Sequence, residues 1–123
     1  MADHTDFGKI AEDLAADYLV REGYKILARN FRFQKAEIDI IAEFNEEIII
    51  VEVKARATDA FMEPHEAVNK RKIRLIVNAA DAFMNQENRD QHVRFDIISV
   101  LPDKKGKLEI NHIIDAFDSF DAN

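Results

Sequence analysis

The chain has no cysteine, so disulfide bonds and thiolate metal ligands are excluded, and nothing in it calls for an oxidising compartment. Its three glycines are scattered and form no phosphate-cradling loop. No apolar run approaches the ~20 residues needed to cross a bilayer. The first residues, "MADHTDFGK", lack the basic and apolar regions of a secretion signal. These absences predict a cytoplasmic protein with no membrane partner.

Positive charge is also scarce, because 17 Lys and Arg residues face 24 Asp and Glu residues. An acidic balance argues against nucleic-acid binding, which normally uses an excess of positive charge. Two stretches depart from this average: residues 21–36 hold five basic residues against one acidic, and residues 53–74 hold six against three. Solvated surface is the common explanation for such runs. At 123 residues with 47% hydrophobic content, we expect one domain spanning residues 1–123.

Helical and strand periodicities alternate along the chain. Helical spacing predicts a first helix capped by Thr5 or Asp6 and running to about residue 22, and a second helix from Pro64 to about residue 86. The expected strands lie within residues 24–54 as three antiparallel strands, at 93–101 and at 108–114, and the state of residues 115–120 is left open. This order predicts an α/β fold in which helices pack against a mixed sheet.

Charged residues interrupt the apolar runs of the second and third expected strands. A two-residue turn at residues 45–46 sets a register in which Asp39 faces Glu52 and Glu37 faces Lys54. Side chains two apart on a strand share a face, so all four groups are expected to project from one side of the hairpin.

Apolar neighbours predict that these charges adjoin a core. Ile41 and Ile50 form the next pair on the charged face, and the opposite face is expected to carry Ile38, Ile40, Val51 and Val53. Opposed carboxylates repel one another, and desolvation increases that cost. A cation held between them would offset the repulsion, and Mg²⁺ and Mn²⁺ prefer oxygen ligands. The alternative is a solvated, salt-bridged end of the sheet with Lys54 paired to Glu37, and the pattern alone leaves both open.

The aspartate in "EIDIIA" followed by "VEVKAR" resembles the PD-(D/E)XK nuclease superfamily. The whole chain is similar to the YraN-like family of uncharacterised bacterial proteins, itself similar to archaeal Holliday junction resolvases. The matching stretches include "GKIAEDLAADYL", "EAVNKRK", "VRFDIISV" and "INHIIDAF". The resemblance implies a restriction-endonuclease-like fold with an αβββαβ core. It also implies a metal-dependent endonuclease acting on branched or recombining DNA, working as a homodimer.

The resemblance also implies roles for residues of the hairpin. Asp39 and Glu52 match the ligands of Mg²⁺ or Mn²⁺, with the carbonyl of Val53 as a third ligand. Lys54 matches the catalytic lysine. Together these groups would hold a phosphate and stabilise the charge that develops on it.

Two further acids match the family. Glu12 matches a helix glutamate that joins the site, and its place at the edge of the apolar stripe fits that role; a plainly exposed helix position is the alternative. Glu37 matches a glutamate that orients the lysine or adds to metal binding. The chain departs from the family at Ala36 and Ala11, where glycine is usual, so backbone geometry needing positive φ at Ala36 is in doubt.

Basic residues near these acids are candidates for nucleic-acid binding. Lys72 lies inside the apolar stripe of the second helix, so it either snorkels or meets an anion. Lys70 and the positive end of the helix favour a phosphate contact. Arg32 and Arg56, matched to the family, contact backbone phosphates or pair with surface acids. We interpret His112 as structural, since the histidines show no metal-ligand spacing.

Two other functions are left open by these residues. One is a non-catalytic nucleic-acid-binding module that keeps the nuclease scaffold, which would bind DNA in a salt-dependent way without cutting it. The other is an acidic protein-interaction domain, which would have no affinity for DNA.

Overall fold

Two helices flank a five-stranded sheet in the computed structural model, which describes residues 6–56 and 69–122. The elements are α1 (Asp6–Arg21), β1 (Lys25–Phe33), β2 (Ala36–Phe44), β3 (Glu47–Ala55), α2 (Lys70–Gln86), β4 (Val93–Pro102), β5 (Leu108–Phe117) and a 3₁₀ turn at Ser119–Ala122. Strands lie in the order β1-β2-β3-β4-β5, and β3 with β4 is the parallel pair among antiparallel ones. The predicted αβββαβ order and mixed sheet are confirmed.

Helix α1 covers one face of the sheet with small side chains. Its buried residues recur at helical spacing and are Gly8, Ala11, Glu12, Ala15, Ala16 and Leu19. Ala11, Ala15, Ala16 and Leu19 of this set pack against Ile40, Ile49, Val51 and Val53 of the central strands. Gly23 follows the helix with φ of +94°, a left-handed conformation that suits glycine and ends the helix where the sequence predicted.

Helix α2 covers the other face, burying Ile73, Ile76, Ala80 and Phe83 against it. Asn69 caps the helix, because its Oδ1 accepts a 2.9 Å hydrogen bond from the N–H of Lys72. Asn69 has extended backbone angles, so α2 begins at Lys70. The start predicted at residue 64 lies outside the described residues, and the helix does not continue back through Asn69. The predicted end near residue 86 is confirmed.

The β2–β3 hairpin has the predicted register. The observed pairs run from Ile40 with Val51 to Phe44 with Glu47, and all follow it. The turn residues at 45 and 46 have φ of 50° and 67°, as a two-residue type I′ turn requires.

Strand β2 departs from strict alternation near Asp39. Ile38 packs in the cluster beneath α2, whereas Ile40 packs beneath α1, so the expectation that both share a face is wrong. Asn30, which lies between the pairs Arg29 with Ile40 and Phe31 with Ile38 in the β1–β2 ladder, has φ of +54°. An irregularity of this kind re-aims side chains, and it coincides with the position of the candidate site.

The chain end extends the sheet further than expected. Strand β5 continues to Phe117, past the predicted end at residue 114, and the 3₁₀ turn that follows contacts α2 through a 2.9 Å hydrogen bond from Arg74 Nη1 to the Ala122 carbonyl. Neither α1 nor α2 is long and apolar enough to cross a membrane, within residues 6–56 and 69–122.

Candidate metal and nucleic-acid site

The candidate site is built around two buried carboxylates, Asp39 on β2 and Glu52 on β3. Asp39 is 0% exposed and Glu52 is 3% exposed, and each carboxyl group shifts the pKa of the other. The β2–β3 ladder ends at the pair Ile40 with Val51, just before Asp39 and Glu52. Asp39 Oδ2 accepts a 2.8 Å hydrogen bond from the backbone N–H of Val53. The hairpin therefore brings the two carboxylates together, as its register predicted.

Burial and proximity shift the pKa values of this pair in opposite directions. Burial, followed by the neighbouring Glu52, raises the pKa of Asp39 to about 9. Burial also acts to raise the pKa of Glu52, but its interactions with Asp39 and Lys72 outweigh burial and lower that pKa to about 2. The pair consequently holds one proton at neutral pH when no cation is bound. A cation bound by both groups would displace that proton.

Two lysines from different elements approach Glu52. Lys72 of α2 places its Nζ 3.2 Å from Glu52 Oε2. Lys54 lies two residues further along β3 and interacts with both Glu52 and Lys72. Burial and the Lys72 ammonium lower the pKa of Lys54. Burial acts to lower the pKa of Lys72 as well, but Glu52 outweighs it and raises that pKa.

Sequence reasoning placed Lys72 near phosphate but missed its contact with Glu52. The reason is that the apolar stripe of α2 shows which side of the helix is buried, and not which strand residue each turn meets. No local signal in the sequence could have identified this partner.

Glu37 does not meet the lysine that the sequence analysis placed opposite it. Its Oε2 lies 2.9 Å from Arg32 Nη2, on the neighbouring strand β1, and the β2–β3 ladder does not extend to Glu37 and Lys54. The expected pairing of Glu37 with Lys54 is therefore corrected to a pairing with Arg32. Its other oxygen, Oε1, is buried without a hydrogen-bond partner in the described part of the chain. A role of Glu37 in metal binding stays a prediction.

Glu12 is 8% exposed on α1, so its interpretation as a plainly exposed residue is wrong. Its Oε1 accepts a 2.9 Å hydrogen bond from Asn30 Nδ2 and lies 3.8 Å from Arg29 Nη2. Within residues 6–56 and 69–122, no three Asp, Glu, His or Cys side chains are placed to hold one metal ion together. The described residues therefore form no three-acid metal site from Glu12, Asp39 and Glu52, and the ligand role of Glu12 stays a prediction.

The other basic candidates, Arg32, Lys70 and Arg56, differ in how far they are exposed. The Arg32 side chain is 69% exposed, and Lys70 is exposed in the first turn of α2. Arg56 is half-buried, and its backbone N–H donates a 3.0 Å hydrogen bond to the carbonyl of Val100 on β4. The roles of these residues in nucleic-acid binding, and of the Val53 carbonyl as a metal ligand, stay predictions.

A cavity of about 300 Å³ lies beside the carboxylates, between the β1–β2 turn and the start of α2. It is lined by Lys35, Ala36, Glu37, Asn69, Arg71, Lys72, Leu75 and Ile76. Lys72 both lines the cavity and contacts Glu52, so the cavity and the carboxylate pair are adjacent. The sequence showed the basic residues around it but not the cavity itself.

A third buried carboxylate, Asp96 on β4, was not identified from the sequence. It is 0% exposed and binds Arg94 at 2.9 and 2.8 Å, His112 Nε2 at 2.7 Å and the N–H of Asp115 at 3.0 Å. Burial acts to raise the pKa of Asp96, but the hydrogen bonds with His112 and Arg94 outweigh burial and lower it. Tyr18 OH lies 2.9 Å from the other ring nitrogen of His112. This hydrogen-bonded network fits the structural interpretation of His112. The acid within the apolar run "VRFDIISV" was the sequence signal that could have identified Asp96.

Comparison with known proteins shows the family. A family model described as "Uncharacterised protein family UPF0102" matches residues 11–100. A UPF0102 protein of Flavobacterium psychrophilum is 44% identical over 98% of this chain and 100% of its own length, and one of Bacteroides fragilis is 48% identical over 95% and 96%.

Among solved structures, Pyrococcus furiosus SfsA in complex with Ca²⁺ matches with a TM-score of 0.37 and 13% identity, covering 87% of this chain and 62% of that chain. A likeness this weak transfers no function. The sequence matches, in contrast, extend over nearly the full length of both partners. The resemblance to the YraN-like family is thus confirmed, and the chain belongs to the UPF0102 family.

Proposed function

We propose that the chain is a metal-dependent endonuclease that hydrolyses phosphodiester bonds in DNA, including branched or recombination-type DNA, in the cytoplasm. The observation that supports this most is the meeting of two buried carboxylates and two lysines at one point of the sheet. A buried pair of interacting acids lowers the stability of the fold. Such a pair is typical of sites whose function needs perturbed pKa values.

The donor set fits Mg²⁺ or Mn²⁺. Both ions take oxygen ligands, and Mg²⁺ is commonly held by one or two carboxylates while waters and substrate phosphates complete the octahedron. Asp39 and Glu52 offer two buried carboxylates on neighbouring strands that interact with each other. When bound, the cation would supply positive charge for the scissile phosphate and lower the pKa of a bound water.

The protein's own groups would position and stabilise the reacting phosphate. The N–H of Val53 holds the carboxylate of Asp39 in place through a 2.8 Å hydrogen bond, which fixes its orientation on a rigid strand. Lys54 and Lys72 present ammonium groups beside Glu52, where they would stabilise charge developing on phosphate oxygens. Because its pKa is lowered, Lys54 also releases a proton from Nζ more readily than an exposed lysine does.

A cleavage assay with matched variants tests the proposal. Labelled single-stranded, duplex, flap and four-way DNA would be incubated with purified protein in Mg²⁺ or Mn²⁺. Asp39→Asn and Lys54→Met should each lower the cleavage rate by about 100-fold or more. Glu109→Gln, which changes an exposed carboxylate on β5, should cut like the wild type.

Two outcomes would count against the proposal. Cleavage that survives in Asp39→Asn would point to a contaminating nuclease. Absence of cleavage by folded wild-type protein on every substrate with both ions would remove the endonuclease proposal altogether.

A non-catalytic nucleic-acid-binding module is the second candidate function, and the basic residues around the start of α2 favour it. Lys35, Lys70, Arg71 and Lys72 provide a positive surface that does not depend on the carboxylate pair. This function predicts DNA binding that weakens steeply with salt and no cleavage under any condition. A homodimer stays a prediction, and sedimentation of the free protein and of its DNA complex would test it.

A further inference from the structure

We infer that the cavity beside the carboxylate pair takes one unpaired nucleotide, with its base against the apolar floor and its phosphate on the basic rim. The inference rests on the proposed function and names the substrate class of that site. The preferred substrate is then a strand carrying an unpaired nucleotide next to the cut, such as a bulge or flap, and not continuous duplex.

The floor of the cavity suits the flat face of a base. Ala36 and Ile76 are 7% and 3% exposed, and Leu75 is half-buried beside them. Apolar contact of this kind is how proteins hold bases that have left the stack. The volume of about 300 Å³ is at the lower end for ligand cavities, which restricts the occupant to one small unit.

The rim carries an excess of positive charge. Lys35, Arg71 and Lys72 line the cavity, and the acid among the lining residues, Glu37, is already paired with Arg32 at 2.9 Å. The rim also includes the amino-terminal end of the 17-residue helix α2, whose dipole favours a negatively charged ligand. Apolar floor and basic rim together match a nucleotide better than a wholly apolar ligand or a free anion.

Glu37 is the buried acid among the residues that line the cavity. It is 7% exposed, it lines the cavity, and its Oε1 is buried with no hydrogen-bond partner among residues 6–56 and 69–122. Buried acceptors of this kind normally have a donor. Because Oε1 has no exposed surface, it would meet an amino or imino N–H of a base only after the Glu37 side chain turned toward the cavity.

The position of Lys72 connects the cavity to the proposed cutting point. Its side chain lines the cavity, and its Nζ lies 3.2 Å from Glu52. A nucleotide in the cavity would thus adjoin the phosphate held at the carboxylates. A stacked and paired base must first leave the DNA double helix, which costs a few kcal/mol. The cost is least where the base is already unpaired.

Equilibrium binding tests the inference without any cleavage. The full chain in EDTA would be titrated against labelled duplex with one bulged nucleotide, the same duplex with an abasic bulge, and the uninterrupted duplex. Wild type should bind the bulged duplex about tenfold more tightly than either of the others. Ala36→Met, which narrows the cavity, should abolish that preference. The bulged nucleotide and the methionine side chain of this variant would occupy the same space. The effects of removing the base and of Ala36→Met on the binding free energy should therefore be non-additive.

Two more variants guard against misfolding and general charge effects. Arg71→Glu changes an exposed rim residue and should weaken binding to the bulged duplex about tenfold more than to the uninterrupted duplex. Lys104→Glu makes the same charge change in the exposed β4–β5 turn and should keep the preference. Equal binding of all three DNAs by wild type, or a preference that survives in folded Ala36→Met and in Arg71→Glu, would overturn the inference.

Cleavage of the same duplexes in Mn²⁺ separates this inference from the proposed function. A binding preference for the bulge without any cleavage would support the nucleotide cavity and reject the nuclease. Cleavage with no preference for the bulge would support the nuclease and reject the cavity as a nucleotide site.

Discussion

Replacing Asp39 with asparagine should change how the stability of the cation-free protein depends on pH. Asp39 and Glu52 are both buried, and burial together with Glu52 raises the pKa of Asp39 to about 9. An aspartate in the unfolded chain has its ordinary pKa of 3.8. The folded pair therefore keeps a proton that the unfolded chain releases.

The sign and size of the effect follow from this difference. Because the folded pKa is raised, the native state binds the proton more tightly, and the free energy of unfolding falls as pH rises from the unfolded pKa to the folded one. Each pH unit in that window costs about 1.4 kcal/mol. From about pH 6 to about pH 8 the wild type should lose about 3 kcal/mol through this one proton. The lowered pKa of Glu52 adds nothing there, because that group is ionised in both states.

Urea unfolding followed by circular dichroism measures this directly. Wild type and Asp39→Asn would be compared in EDTA across the window, with Asp17→Asn as a control at an exposed carboxylate on α1. The difference in free energy of unfolding between wild type and Asp39→Asn should grow steadily with pH. The control variant should show the same pH dependence as the wild type. If the free energy of unfolding changed with pH in the same way for all three proteins, the coupling of Asp39 with Glu52 would be refuted. Added Mn²⁺ should remove the loss in wild type, because the ion binds the deprotonated pair.

The remaining predictions concern the polar groups that support the fold. Asp96→Asn leaves the charge of Arg94 without its buried partner and should lower the free energy of unfolding by about 3 kcal/mol in urea titrations, so a loss below about 1 kcal/mol would contradict the structure. The hydrogen bonds with His112 and Arg94 lower the folded pKa of Asp96, so the stability it contributes is present above its unfolded pKa of 3.8 and is lost as pH falls through the folded value. Acid unfolding curves should show this loss in wild type and not in Asp96→Asn. Asn30→Ala places alanine at φ of +54° and removes the hydrogen bond to Glu12, which should cost about 2 kcal/mol. Asn30→Gly should avoid the share of this loss that comes from backbone strain. Equal thermal stability of the two variants would contradict this explanation.

The elements and the hairpin register could be predicted because local chemistry specifies them. A two-residue turn at Asn45 and Glu46 leaves one pairing that keeps the isoleucines and valines of β2 and β3 buried. That register in turn places Asp39 near Glu52. The same logic failed for Ile38, because β2 loses its strict alternation between Ile38 and Ile40, beside the left-handed residue Asn30 of β1.

The surroundings of the carboxylates could not be predicted, because they come from segments far apart in the chain. Glu37 pairs with Arg32 across β1, and Lys72 reaches Glu52 from α2. Both contacts depend on how strands and helices are rotated and offset when they pack. The hydrophobic pattern of an element shows which face is buried and leaves its exact neighbours undetermined.

The sequence by itself determined the family, the order of elements and the approach of Asp39 to Glu52, since turn chemistry and alternating burial act over a few residues. Only the tertiary structure decided that a lysine of α2 completes the carboxylate pair and that a basic cavity opens beside it. The physical reason is that side-chain neighbours across a core are selected by close packing of distant segments, and packing is a property of the folded chain as a whole.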